Sequence, residues 1–123
     1  MKEHFLTYEQ SLAVKELGFD EPCFGYWKTR DWLVEEKTRT DGYTHADQEC
    51  SAPLKSQFFK WVRDKHNLYY SVEHYQNDKN ILLYNIVIWS KDNEILHDKD
   101  EYETYEQAED ACINKIIEIL KLK

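Results

Sequence analysis

The chain has 123 residues, of which 41% are hydrophobic, 15% are aromatic and 33% are charged. This length is typical of one domain that folds around its own core without disulfide or metal support. We therefore predict a single domain over residues 1–123. The net charge of -8 argues against direct binding to nucleic acid, because phosphate contacts need an excess of Lys and Arg on one surface.

No apolar run approaches the roughly 20 residues that are needed to cross a bilayer. The first ten residues, MKEHFLTYEQ, also lack the basic and apolar segments of a signal peptide. We therefore expect a cytoplasmic protein that makes no membrane contact. The three cysteines, Cys23, Cys50 and Cys112, are too few and too widely spaced for a disulfide framework, so reduced thiols are expected.

The first helix is predicted from Thr7 to Leu17. Thr7 and Gln10 have the T-x-x-Q spacing of a capping box, which satisfies two backbone donors at a helix start. Gly18 follows as a left-handed stop, and Phe19 then stands where a Schellman ending packs a side chain back on the helix. Both ends of this helix are therefore predicted from local sequence.

A β-hairpin is predicted from Cys23 to Arg39, where aromatic and β-branched residues flank the polar break Lys28-Thr29-Arg30-Asp31. The following segment, from Thr40 to Cys50, has neither helical nor strand periodicity and contains Gly42. We interpret this segment as a loop.

A second helix is predicted to open at Ser51 and Pro53, since a hydroxyl cap and a first-turn proline both suit unpaired amide groups. Its apolar residues recur at helical spacing and form one stripe; they are Leu54, Phe58, Trp61 and Val62. The opposite face is polar.

Three strands are predicted next, Leu68–Tyr75, Ile81–Ser90 and Ile95–His97, separated by the turn-rich stretches QNDKN and KDNE. Apolar residues occupy both faces of the middle strand, which indicates a central position. A last long helix begins at a second T-x-x-Q box, from Thr104 to Gln107. The predicted fold is α+β in the order α-β-β-α-β-β-β-α, with a mainly antiparallel sheet packed against three helices. Whether the hairpin joins the later strands in one sheet is left open.

The segment from Tyr43 to Cys50 gathers an imidazole, two carboxylates and a thiol. Its spacing fits neither a zinc finger nor an EF-hand, so we predict no metal and no cofactor. Cys50 is placed by the sequence in a polar loop near a helix start, where a thiolate would be favoured. A small hydrolase or transferase that uses Cys50, His45 and a nearby carboxylate is therefore one alternative, although an inert thiol is the expectation.

A run of carboxylates precedes the last helix and consists of Asp98, Asp100, Glu101 and Glu103. We interpret it as a solvated link, because nothing apolar in the sequence shelters it. The acidic charge allows one further alternative, a protein that imitates DNA and blocks a DNA-binding enzyme.

The 18 aromatic residues are the most unusual feature of the composition. Tyrosine and tryptophan give large contact areas with a polar end and are enriched at binding surfaces. Eight tyrosines and tryptophans lie on proposed strands, so some should be exposed; they are Tyr26, Trp27, Trp32, Tyr69, Tyr70, Tyr75, Tyr84 and Trp89. If the ligand is a small nucleotide, the expected ligand-binding residues are Tyr43 and His45 for stacking and Lys55, Lys60 and Arg63 for phosphate.

Three segments resemble a family of short uncharacterised proteins found in Bacteroidetes genomes and in their phages and prophages. These segments are FLTYEQSLAVKELGFDEPC, APLKSQFFKWVRDKHNLYY and YETYEQAEDACINKIIEIL, and together they cover 57 residues, just under half of the chain. The resemblance implies an accessory protein of phage or mobile-element origin in the cytoplasm of a bacterial host. It implies no catalytic residue.

The leading functional hypothesis is a non-enzymatic binding protein. It rests on the aromatic excess, on the lack of catalytic motifs and on the resemblance to phage-related proteins. The expected partner is a host protein, a small nucleotide ligand or a second copy of the chain in a homo-oligomer.

Overall fold

The computed structural model describes residues 2–40, 50–91 and 93–122. It shows an α+β protein, and the predicted fold class and order of elements are confirmed. One short strand, β3, adds to the predicted set. After a 3-10 turn at Lys2–His4, the elements are α1 (Tyr8–Glu16), β1 (Cys23–Thr29), β2 (Trp32–Thr40), β3 (Cys50–Ser51), α2 (Lys55–His66), β4 (Leu68–Gln76), β5 (Leu82–Ser90), β6 (Glu94–Tyr102) and α3 (Tyr105–Lys121).

The chain divides into two compact units, Met1–Trp61 and Val62–Lys123. The first unit contains a three-stranded sheet in the order β2-β1-β3, and the second contains one in the order β4-β5-β6. Both sheets are antiparallel. The predicted hairpin therefore does not share a sheet with the later strands. A single domain over residues 1–123 stays a prediction.

Both ends of α1 are formed by the residues that the sequence indicated. The Thr7 hydroxyl accepts a 3.1 Å hydrogen bond from the Gln10 amide, and the Gln10 side chain accepts one of 3.0 Å from the Thr7 amide. At the other end Gly18 has a φ of 101°, and the Phe19 amide donates to the Val14 carbonyl at 3.0 Å. The capping box and the Schellman ending are confirmed.

The hairpin is confirmed as β1 and β2, with Tyr26 opposite Val34. The prediction that Cys50 lies in a polar loop is wrong, because Cys50 pairs with Trp27 in the short strand β3. Thr40, at the other end of that predicted loop, belongs to β2. Residues 41–49 lie outside the described residues.

Helix α2 begins at Lys55, later than the predicted start at Ser51 and Pro53. The reason is that the backbone before it is held by other parts of the chain. The Ala52 amide donates to a carbonyl of β1 at 2.9 Å, and the Leu6 amide donates to the Pro53 carbonyl at 2.9 Å. These long-range bonds keep the segment extended until residue 54, which a local capping pattern does not reveal.

The core of the first unit contains the side chains that line the inner face of its sheet. Its buried cluster consists of Phe5, Trp27, Cys50 and Ala52, and half-buried hydrophobic residues pack around it. On α2 the predicted apolar stripe is buried at Phe58, which has no exposed area, and at Trp61. The ring of Phe19 meets Trp61 edge to face, with ring centroids 5.4 Å apart.

In the second unit β5 is the central strand, as predicted. Ile86 and Ile88 are fully buried on one face, and Leu83 and Val87 are buried on the other. Helix α3 packs against this strand. Its own buried residues are Ala108, Cys112, Ile113, Ile116, Ile117 and Leu120, which repeat at helical spacing.

Strand β6 is three times as long as the predicted strand Ile95–His97 and extends to Tyr102. The carboxylate-rich segment predicted as a solvated link is therefore mostly strand. Its pairing with β5 reaches Tyr84 opposite Tyr102. Backbone hydrogen bonds to a buried neighbour outweigh the low strand propensity of Asp and Glu.

At the start of α3 the predicted box is formed in part. The Thr104 hydroxyl accepts from the Gln107 amide at 3.1 Å. The Gln107 side chain accepts from the amide of Glu103 at 3.1 Å, one residue before the position that a regular capping box uses.

Candidate binding cleft

A cleft of about 520 Å³ lies in the first unit, where the start of α1, the tip of the β1–β2 hairpin and the first residue of α2 meet. Pockets that bind small organic ligands have volumes of roughly 300–1,000 Å³. The lining residues are Glu3, Phe5, Leu6, Thr7, Tyr8, Glu9, Trp27, Arg30, Asp31 and Lys55.

The floor of the cleft is a fixed aromatic pair. Trp27 is only 2% exposed, and its indole N–H donates to the hydroxyl of the buried Ser11 at 3.1 Å. The ring of Tyr8 meets Trp27 edge to face, with centroids 6.2 Å apart and planes at 83°. The hydrogen bond and the ring contact together hold the orientation of Trp27, so the floor is preorganised.

Arg30 lies at the turn between β1 and β2 and covers one side of the cleft. Its guanidinium group lies over the Tyr8 ring, 5.2 Å from the centroid, and it forms an ion pair with the carboxylate of Glu9. Both charged side chains are largely exposed, so the pair contributes little stability by itself. Its effect is to place a planar cation on an aromatic face at the protein surface.

A second cation and a second ring lie at the same hairpin tip. The Lys28 ammonium group is 4.7 Å from the centroid of the Trp32 ring, and Trp32 is 54% exposed. We define the hairpin surface as Tyr8, Lys28, Arg30 and Trp32. It therefore contains two stacks of a cation on an aromatic ring.

The charges that line the cleft are mixed. Glu3, Glu9 and Asp31 carry carboxylates, and Arg30 and Lys55 carry positive charges. Arg30 is paired with Glu9. The lining therefore presents both signs of charge around an aromatic floor, rather than the cationic surface that a polyphosphate requires.

The structure brings one of the predicted ligand-binding residues into the cleft. Lys55 is half-buried and lines it. Lys60 and Arg63 are exposed farther along α2 and do not line it. Tyr43 and His45, the residues predicted for stacking, lie outside the described residues.

The environment of the thiols is apolar. Cys50 is 3% exposed and packs in the core of the first unit, where it also borders a small cavity of about 50 Å³. Cys23 is buried and donates to the Glu21 carbonyl at 3.3 Å. Burial, with a further effect of the Glu109 carboxylate, raises the pKa of Cys112 to about 12. These surroundings favour the protonated thiols.

Sequence reasoning predicted the hairpin and its polar break but did not assign Tyr8, Arg30 or Trp32 to a site. A usable signal was present, because Lys28-Thr29-Arg30-Asp31 stands between two tryptophans, Trp27 and Trp32. At a hairpin tip, cations and rings so close in sequence are bound to lie close in space. The contribution of Tyr8, some 20 residues earlier, depends on tertiary packing.

Groups of three or more metal-binding side chains were not found among residues 2–40, 50–91 and 93–122. Over the same ranges, no α-helix has both the length and the apolar character that crossing a bilayer requires.

Comparison with known proteins found a distant likeness. The chain is 29% identical over 113 residues to Transmembrane protein 120B of Xenopus tropicalis, an alignment that covers 85% of the chain and 33% of that protein. The chain thus spans about a third of the length of this relative. No protein-family model and no solved structure match the chain. The chain is similar to one part of a larger protein, and this likeness assigns it to no family.

Proposed function

We propose that this chain is a non-enzymatic binding protein that recognises another protein through its hairpin surface. The observation that carries the proposal is the exposure of Trp32, 54% of whose surface is open to solvent while Lys28 stacks on its ring. A tryptophan at a hairpin tip offers a large rigid apolar area with few rotatable bonds.

The composition of the hairpin surface supports this proposal. Tryptophan, tyrosine and arginine are the residue types that most often dominate the binding energy of protein interfaces. Here Trp32, Tyr8 and Arg30 occur together, and Arg30 is already held on the Tyr8 ring before any partner arrives. Side chains ordered in advance lose less conformational entropy when they bind.

A small nucleotide ligand is a second candidate, favoured by one observation. The cleft has a suitable volume, and it combines the Tyr8 ring with the Lys55 ammonium group. The carboxylates of Glu3 and Asp31 oppose a phosphate group in the same cleft. We therefore rank the nucleotide below a protein partner.

The remaining functional hypotheses rest on the sequence alone. The phage or mobile-element role depends on the resemblance described above, and the acidic DNA mimic depends on the net charge of -8. The hydrolase that would use Cys50 gains no support from the burial of that thiol.

The proposal is tested by affinity purification with the full chain as bait, using lysate of the cells that encode it and mass spectrometry of the captured proteins. The wild-type chain is compared with Trp32→Ala and with Arg30→Ala. Both side chains are exposed, so these substitutions should change the free energy of unfolding by no more than about 0.5 kcal/mol. A partner that binds at the hairpin surface should be captured by the wild-type chain and lost with both variants.

A matched control is Tyr69→Leu, which changes a half-buried tyrosine of the other unit and should leave capture unchanged. The nucleotide is tested in parallel by thermal shift, since a ligand at 100 times its dissociation constant stabilises by about 2.7 kcal/mol. A shift that Lys55→Ala removes would favour the nucleotide. Capture that is equal for wild type and both hairpin variants, without any nucleotide shift, would refute the proposed function.

A further inference from the structure

A row of aromatic side chains crosses one face of the sheet in the second unit and ends beneath the start of α3. His74 of β4 lies opposite Tyr84 of β5, and their rings are 6.4 Å apart. Tyr84 in turn meets Tyr105, the first residue of α3. The Tyr105 side chain is also hydrogen-bonded to Tyr70 of β4.

The contact between Tyr84 and Tyr105 forms a right-angled corner. Their ring centroids are 6.2 Å apart and their planes meet at 86°. Tyr105 is 41% exposed and Tyr84 is half-buried, so neither ring is sealed in the core. Ring faces carry negative charge density, and two of them at a right angle attract a cation from two sides.

A carboxylate adds to this attraction. Glu109 lies one helical turn after Tyr105 on α3, and its charge raises the pKa of Tyr105, where burial has the larger effect. Arg63 also acts on this row, because its positive charge tends to lower the pKa of Tyr70. Three register pairs lie between Tyr70 and the pairing of His74 with Tyr84, whereas Glu109 acts directly on Tyr105, one of the two rings of the corner.

The type of cation follows from the polar groups at the corner. A primary ammonium group has three N–H donors, which lose strong hydrogen bonds to water when the group leaves solvent. Two ring faces and one carboxylate do not replace these three hydrogen bonds. A methylated ammonium group carries its charge on an apolar, weakly hydrated surface, which ring faces accommodate well.

We propose that Tyr84, Tyr105 and Glu109 form a binding site for a methylated ammonium group. The same chemistry occurs in a free quaternary amine such as choline and in trimethyllysine of a partner protein. The site uses residues of the second unit and does not depend on the proposed hairpin surface.

The test measures binding of choline to the full chain by NMR chemical-shift changes. Its neutral carbon isostere, in which carbon replaces the ammonium nitrogen, has the same shape and serves as the control ligand. Choline should bind and the isostere should bind at least about tenfold more weakly, because only the cation is attracted by the ring faces. Equal binding of the two compounds, or no choline binding at millimolar concentration, would overturn the proposal.

Variants locate the site. Tyr105→Leu and Tyr84→Leu should each weaken choline binding about tenfold, whereas Tyr105→Phe should retain most of it, since the ring face remains. Glu109→Gln should weaken binding about threefold. Tyr69→Leu, on the opposite face of the same sheet, is the matched control and should bind normally. Choline binding that survives Tyr84→Leu and Tyr105→Leu unchanged would place the ligand elsewhere and overturn the assignment.

A peptide with one trimethyllysine distinguishes the two sources of the group. If the peptide binds at least tenfold more tightly than choline, the site is supported and its ligand is a methylated protein. If the peptide and choline bind equally tightly, the site is supported and its ligand is a small quaternary amine.

Discussion

The hydrogen bond from Trp27 to Ser11 allows a quantitative test of the preorganised cleft floor. Both residues are at most 2% exposed, and the bond length is 3.1 Å. Ser11→Ala removes the hydroxyl acceptor, so the buried indole N–H of Trp27 loses this hydrogen bond. Burying a donor that has lost its partner costs about 1–3 kcal/mol, more than the net gain of an ordinary hydrogen bond. We therefore expect the free energy of unfolding to fall by that amount.

A double-mutant cycle separates this effect from lost packing. Trp27→Phe removes the indole N–H, so adding Ser11→Ala to that variant should cost far less than Ser11→Ala alone, and the coupling energy should be about 1–3 kcal/mol. Urea unfolding followed by circular dichroism and by fluorescence of the remaining tryptophans measures all four proteins. Because the chain has two units, a single free energy of unfolding is defined only if the two signals give coincident transitions. An equal cost of Ser11→Ala in both backgrounds would show that the hydrogen bond does not hold Trp27.

Two further predictions concern the two units separately. A Cβ added by Gly25→Ala would lie 2.8 Å from the Val34 carbonyl oxygen and 3.2 Å from the Phe5 ring, so this variant should lose about 1–3 kcal/mol of stability in urea unfolding. Burial raises the pKa of Tyr70 from 10.0 to about 12, which means that the fold favours the neutral phenol. The resulting stabilisation should be present below pH 10 and lost as the pH rises through about 12, and Tyr70→Phe should lack this part of the pH dependence. Ultraviolet titration of the wild-type chain and of Tyr70→Phe measures the pKa of Tyr70. An ordinary pKa for this tyrosine would contradict the prediction.

The elements that were predicted correctly from the sequence are those with local causes. In α1 the cap, the stop and the packing residue all lie within 13 residues, and each forms the predicted bond. The start of α2 was misplaced because a local cap at Ser51 competes with long-range backbone bonds made by Ala52 and Pro53. Such bonds depend on strands that are distant in sequence, so no window around Ser51 contains the information.

Strand β6 shows a second limit of local patterns. Its residues 98–101, DKDE, have the composition of a solvated link. Strand periodicity is visible in a sequence only where one face of the strand is apolar. At the edge of a sheet, polar residues are favoured because they discourage pairing with other chains. β6 is the edge strand beside β5, so its charge is compatible with its position.

The candidate cleft was predicted only in part for a related reason. Lys55 was expected to bind a ligand, but the aromatic group beside it was assigned to Tyr43 and His45, which are close in sequence. In the structure Tyr8 is among the rings that line the cleft with Lys55, and Arg30 lies on that ring. These three residues belong to α2, α1 and the hairpin, and tertiary packing alone brings them together.

The different environments of Trp27 and Trp32 follow from the geometry of the hairpin. Trp27 pairs with Leu33, whereas Thr29 pairs with Trp32, so two steps along β1 correspond to one step along β2. The extra residue, Lys28, lies on β1, and Trp32 and Leu33 are consecutive on β2; Trp32 therefore lies on the opposite face from Leu33, the partner of Trp27. Trp27 consequently faces the core at 2% exposure, and Trp32 stays in solvent beneath Lys28 at 54% exposure. This alternation exposes a large ring at the tip, as an interaction surface requires, and this placement links the fold of the hairpin to the proposed binding function.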